Sequence, residues 1–204
     1  SCNFRHEKDG VPGELVLNNF VMLESGKEKI AFVGITTPET ITSSSPAYYQ
    51  DESGNYIYGI YGGMDGSALY AAAQSAIDDA KAAGADHVIA LGHLGVDPSS
   101  GPWTSRNLIA NTTGLDAFID GHSHTTIEME PVTDKAGNAV VLTQTGSYLD
   151  AVGKLTIGTD GSIRTELLSA DELADLTPDA AVSALEDPWI TEVNGLLGEV
   201  IGYA

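Results

Sequence analysis

Two apolar runs in this chain, Val88-Ile-Ala-Leu-Gly-His93 and Ala117-Phe-Ile-Asp-Gly-His122, end in the same Gly-His dipeptide. Each run is short and almost uninterrupted, which is the pattern of a strand covered on both faces of a sheet rather than of a surface element. A helix is predicted ahead of the first run, over about 67–83. Leu69, Ala73, Ile77 and Ala80 form its apolar stripe, Ser67 is placed to cap it and Gly84 to stop it. A second, shorter helix is expected near 104–112. Strand, helix, strand in this order reads as α/β, and in open α/β sheets ligands collect beyond the carboxyl ends of the strands. Glycine before each histidine allows the backbone to turn sharply there.

The second run continues to Ser123 and His124, so three of the five histidines follow the two strands. If the strands are neighbours, His93, His122 and His124 converge on one pocket. Neutral imidazoles so grouped are ligands for Zn²⁺, Mn²⁺, Fe or Co²⁺. A His-X-His pair on a turn can address two adjacent ions. From spacing alone, a loop-packing role for each ring stays open.

The remaining chain adds strands. Residues 13–36 alternate apolar and polar positions, turn at Ser25-Gly26 and resume as Ile30–Ile35, reading as a strand, a turn and a more buried strand. Residues 37–66 carry Pro, Ser, Gly and tyrosines without periodicity, an excursion with a small hairpin at Ser53-Gly54. Residues 127–168 read as an antiparallel meander turning near Lys135 and at Asp160-Gly161. From Asp171 on, the pattern is helical, with Leu185, Trp189, Val193, Leu196 and Leu197 on one face.

Charge narrows the partners. Twenty-nine acids against nine bases give −20, a surface that repels nucleic-acid polymers and anionic membranes. No apolar run approaches the ~20 residues of a membrane span. An anionic substrate needs local cations, for which bound metal is a better source than the few Lys and Arg. The lone Cys2 excludes an internal disulfide and a Cys-based zinc site, and leaves the redox compartment open. The opening Ser-Cys-Asn-Phe has no signal-peptide character and no initiator Met, so a processed or cut chain is expected.

Four blocks occur in order: "KIAFVGITTPET", "ADHVIALGHLG", "LDAFIDGHSHT" and "VVLTQTGSYLDAVGKLTI". Together they resemble the second half of the metallophosphoesterase (calcineurin-like) domain of the bacterial 5′-nucleotidase family, which includes 2′,3′-cyclic-nucleotide phosphodiesterases and UDP-sugar hydrolases. The resemblance implies part of a four-layer α/β/β/α sandwich around a dinuclear metal site. It implies that His93 and His122 hold the second ion and His124 the first, with Asp120 orienting a ligand histidine. It implies two divalent metal ions, for which Mn, Zn, Fe and Co all suit the ligands. Its Asp-X-His, Gly-Asp and Gly-Asn-His-Glu blocks are absent here, so the catalytic His–Asp dyad is expected upstream and no catalytic residue within residues 1–204. Residues 1–170 are expected to be the second half of that domain and 171–204 a linker helix toward a C-terminal nucleotidase domain.

The functional expectation is a fragment of a divalent-metal-dependent phosphoester hydrolase acting on nucleotides, inactive alone, and extracellular or cell-wall-associated in a bacterium. Its partners would be a small nucleotide or phosphoester substrate and the missing parts of the same parent. The alternative is a non-catalytic extracellular binding or structural module that keeps the sandwich. Other residues receive plainer readings. His6 and His87 are taken as non-ligands, Asp97 as a loop cap, Arg106 as a solvated helix residue. Gln144 and Thr145 are expected to border the pocket through backbone groups. Tyr48, Tyr49, Tyr56, Tyr58 and Tyr61 are read as packing the excursion rather than stacking on a base, and Asn111-Thr-Thr113 as an uninformative glycosylation match.

Overall fold

Ala31, Val33 and Ile35 are buried and alternate with Phe32 and Gly34, marking a strand with two unlike faces. In the computed structural model, which describes residues 1–198, the chain divides into two units, Ser1–Ser169 and the segment from Ala170 on. The first unit begins with β1 (Phe4–Lys8), β2 (Val11–Leu15), β3 (Phe20–Ser25) and β4 (Glu28–Thr36). A short helix α1 (Thr40–Ser43), a 3₁₀ turn (Pro46–Tyr49) and β5 (Tyr58–Ile60) follow. Next come α2 (Ser67–Ala82), β6 (His87–His93), a 3₁₀ segment (Pro98–Trp103), α3 (Ser105–Asn111) and β7 (Ala117–Asp120). Strands β8 (Thr126–Thr133), β9 (Ala139–Thr145), β10 (Ala151–Ile157) and β11 (Ile163–Ser169) complete it.

Six strands form the main sheet, in the order β3-β4-β6-β7-β9-β8. The inner four, β4, β6, β7 and β9, are parallel, and β3 and β8 close the edges antiparallel. Register places Val33 beside Ala90, Ala90 beside Phe118 and Phe118 beside Leu142. This fully buried row packs with Leu69, Ala73 and Ile77 of α2 and Leu108 and Ile109 of α3 in one core. Both helices therefore cover the same face. Helix over sheet is the α/β packing that the two Gly-His strands predict, and it supplies two adjoining layers of an α/β/β/α sandwich.

The structure also corrects several expectations. The alternation over 13–25 is not one strand: it is interrupted over 16–19, with β2 pairing to β1 and β3 to β4. Strand β6 is covered on one face only toward its end. Leu91 is 45% exposed and shares with Val21, Leu23 and Phe32 an apolar cleft of about 310 Å³. The meander is divided, because β9 pairs parallel with β7 while β10 and β11 form their own hairpin. Ser67 does not cap α2. Its hydroxyl and N–H both donate to Asp65, and Gly66, with φ +82°, precedes the first turn. Helix α3 is capped by Thr104, whose side chain accepts from the Asn107 N–H. The hairpin at Ser53-Gly54 is present as a bridge between Gln50 and Tyr56, and β5 then joins β1 and β2 in a separate three-stranded sheet.

The second unit holds α4 (Ala170–Leu173) and α5 (Ala180–Leu197). Asp179 caps α5 by accepting from the Ala181 and Val182 N–H groups. The last part of the expected linker helix, residues 199–204, lies outside the described residues.

Gly92 tests the packing. A Cβ there would lie 2.2 Å from the fully buried Phe118 ring, against a nearest approach of 3.4 Å for a Cβ at Gly34. Gly92→Ala is expected to cost about 1–3 kcal/mol of stability in urea unfolding, through overpacking. Gly34→Ala should change it by less than about 1 kcal/mol.

Candidate metal centre

Because β4, β6, β7 and β9 are parallel and in register, their carboxyl ends meet on one edge of the sheet. Thr36 pairs with His93, and Asp120 with Gln144. The loop after β4 brings Thr37 and Glu39 to this edge, β6 ends on His93, and the turn after β7 holds His122 and His124. Thr37 ties two of these ends together, its N–H donating to the His93 carbonyl over 3.1 Å.

The rings of His93 and His122 lie edge to face, with centroids 5.0 Å apart and planes at 64°. Desolvation, followed by His122 and His124, holds the His93 imidazole below its ordinary range, with Asp120 pulling the other way. His93 is therefore a neutral lone-pair donor at pH 7. Gly121 is needed for closeness: a Cβ there would stand 3.2 Å from His93 Nδ1. The left-handed turn itself is carried by the histidines, with φ of +81° at His122 and +53° at His124. Such conformations cost of order 1 kcal/mol each and persist where neighbours hold them.

Gln144 holds them. It is 1% exposed, its Nε2 donates to the Gly121 carbonyl, and its Oε1 accepts from the Thr125 N–H at 2.7 Å and Ser123 Oγ at 3.0 Å. Ser123 Oγ in turn accepts from the Val96 N–H, joining the turn to the loop after β6. On the other side Glu39 Oε2 lies 2.9 Å from His122 Nε2 and accepts from Ser100 Oγ at 2.9 Å.

No family model matches the chain. Over 202 residues it is 25% identical to the trifunctional nucleotide phosphoesterase protein YfkN of Bacillus subtilis (strain 168), covering 95% of this chain and 12% of that protein. Over 129 residues it is 30% identical to a 5′-nucleotidase of Diplobatis ommata, covering 61% of this chain and 18% of that one. It superposes on the crystal structure of the calcineurin-like phosphoesterase YfkN from Bacillus subtilis with a TM-score of 0.67 at 21% identity, covering 97% of this chain and 63% of that chain. The fold matches part of the fold of that calcineurin-like phosphoesterase. The chain spans well under two thirds of the length of either curated relative.

Within this phosphoesterase fold the predicted residues are not equally placed. His93 and His122 are side by side. His124 is exposed, and its ring contact is with Tyr148, centroids 6.3 Å apart. Asp120 makes no hydrogen bond to a histidine ring. Its Oδ1 accepts from the Leu94 N–H at 2.9 Å, and its Oδ2 is buried without a partner. Among the described residues no three His, Cys, Asp or Glu side chains are grouped to hold an ion. Two adjacent imidazoles beside an orphaned carboxylate oxygen suit the chemistry of a divalent cation, as a share of a ligand set.

The other readings are simpler. His87 lies at the opposite end of β6, with Nδ1 3.9 Å from Asp116. Arg106 is paired to Glu130 through two contacts of 2.8 Å, and Asp97 caps Ser99. His6 and Tyr58 are neighbours, and Tyr49 and Tyr58 pack on Phe4. Buried Cys2 is free, its thiol pushed up to about 11 by burial, which keeps it unreactive. Glu39 and Ser100 are contributors that sequence reasoning missed. The available signal was an acid three residues past a strand end, in "TTPE". For Gln144 the expected backbone role is replaced by a side-chain one.

Removing the Gln144 brace leaves the Thr125 N–H and the Gly121 carbonyl without their partner. Gln144→Ala is expected to cost about 2–3 kcal/mol in chemical denaturation. Amide exchange at Thr125 should accelerate more than exchange at Val33 in the core.

Proposed function

We propose that this chain is part of a divalent-metal-dependent phosphoester hydrolase acting on nucleotides, of the 5′-nucleotidase or 2′,3′-cyclic-nucleotide phosphodiesterase type. The observation that carries the reading is the His93–His122 pair, centroids 5.0 Å apart, at the carboxyl edge of the parallel strands. His93 and His122 would serve one ion and His124 its neighbour, in a two-metal set completed by groups elsewhere in the parent. Manganese, zinc, iron and cobalt all suit such ligands. When bound, a divalent pair polarises the phosphoryl oxygens and activates the attacking water. The part played by this chain is to present imidazoles from the end of β6 and from a braced turn, and to place them where a phosphate can approach. With a formal charge of −20, the protein needs that local positive charge to receive an anionic substrate.

The names of the curated relatives, a nucleotide phosphoesterase and a 5′-nucleotidase, support the substrate class. We extend the proposal to an extracellular or cell-wall-associated setting, which rests on the sequence resemblance. No helix among the described residues is long and apolar enough to cross a membrane.

The test has two arms. This chain alone, with Mn²⁺ and 5′-AMP, is expected to bind metal weakly and release no phosphate. The longer parent is expected to hydrolyse a nucleotide, and His93→Ala or His122→Ala there should lower kcat by about 100-fold or more. A parent that binds nucleotide without hydrolysis, in the presence of Mn²⁺ or Co²⁺, would instead support the non-catalytic module.

A further inference from the structure

We infer that Glu39 is a positioning residue for His122: its carboxylate holds the Nε2 proton and leaves Nδ1 as the nitrogen offered to a cation. The inference rests on the metal reading above and assigns within it which residue orients the ring and which ring atom binds.

Three contacts define the carboxylate. Glu39 Oε2 is 2.9 Å from His122 Nε2, 2.9 Å from Ser100 Oγ and 3.3 Å from Thr37 Oγ1. Each partner comes from a different strand-end loop: Thr37 after β4, Ser100 after β6 and His122 after β7. Thr37 is fully buried and Ser100 is 5% exposed, so neither hydroxyl is free to swing to water. Thr37 Oγ1 also accepts from the Glu39 N–H, which fixes the backbone that carries the carboxylate.

The chemistry follows from lone pairs. With two hydroxyls and one imidazole on a single oxygen, Oε2 has no remaining capacity for an ion, so Glu39 acts as an acceptor and not as a ligand through that atom. A carboxylate facing a ring nitrogen selects the tautomer with the proton on that nitrogen. The opposite nitrogen, Nδ1, then keeps its lone pair in the ring plane. A carboxylate on the far nitrogen also makes the imidazole a stronger donor and fixes its rotation. Asp120, the acid expected from the sequence to do this, makes no hydrogen bond to a histidine ring, and its Oδ1 accepts from the Leu94 N–H.

The experiment is a long-range ¹H–¹⁵N spectrum of the ¹⁵N-histidine-labelled chain at pH 8, recorded without and with Zn²⁺. The expected result is a single Nε2-protonated form of His122 in the free chain, with Zn²⁺ perturbing Nδ1. In Glu39→Ala the two tautomers should mix and the Zn²⁺ affinity, by calorimetry, should fall about 10- to 100-fold. Glu39→Gln, whose amide oxygen can still accept from Nε2, should restore much of both. Ser100→Ala should leave the His122 tautomer unchanged, which separates orientation of the ring from general loosening of the loops.

An Nδ1-protonated His122, a Zn²⁺ shift at Nε2, or a Glu39→Ala spectrum identical to the starting chain would overturn the inference. If no histidine of this chain responds to Zn²⁺, the ligand role given to Nδ1 is overturned, while the tautomer comparison still decides the role of Glu39.

Discussion

Parallel register is the constraint on which the rest of this structure depends. Val33, Ala90, Phe118 and Leu142 form one buried row across four strands, and that row can pack against α2 and α3 only if the strands are aligned as they are. A one-residue slip in any strand would turn its apolar set to the opposite face. The same alignment brings the carboxyl ends of all four strands level, so the loops that follow them share a small volume. The site is thus a geometric consequence of the core: the packing that buries Phe118 also sets how far His93 lies from His122.

Local strain is concentrated at that edge and offset by polar contacts rather than by apolar burial. His122 and His124 both occupy left-handed backbone, where glycine is the usual occupant. Gln144 spans the turn from Gly121 to Thr125, and Ser123 fastens it to Val96. Glu39 closes the arrangement from the far side by joining Thr37, Ser100 and His122. Gln144, Val96 and Glu39 all lie in segments distant in sequence from the turn they hold, so the turn has its shape only when the sheet is assembled.

Electrostatics give the edge its direction of use. The acidic surface opposes polyanions generally, and the bases near the edge are few. Arg106, a cation on α3, is already committed to Glu130. Neutral imidazoles are then the groups best suited to recruit positive charge without adding a permanent one, and His93 is kept neutral by desolvation and by its histidine neighbours.

Much of this was legible in the chain before any coordinates. Short uninterrupted apolar runs marked β6 and β7 and period-3.6 patterning marked α2, because burial within a sheet or on one face of a helix imposes those patterns directly. The Gly-His endings marked two rings, His93 and His122, that the fold brings side by side. Other features depend on partners far apart in sequence, and no local pattern encodes them: the exposed end of β6 at Leu91, the parallel pairing of β9 with β7, and the engagement of Asp120 by Leu94. The role of Glu39 belongs with these. Its carboxylate acquires meaning only when three loops, separated by about 60 and 80 residues along the chain, are drawn to one sheet edge, as its contacts to Ser100 and His122 show. Sequence by itself determined which residues could bind an ion, since that is a property of side-chain chemistry. Tertiary structure decided which of them stand together and what holds them there, because distance and orientation exist only once the strands are in register.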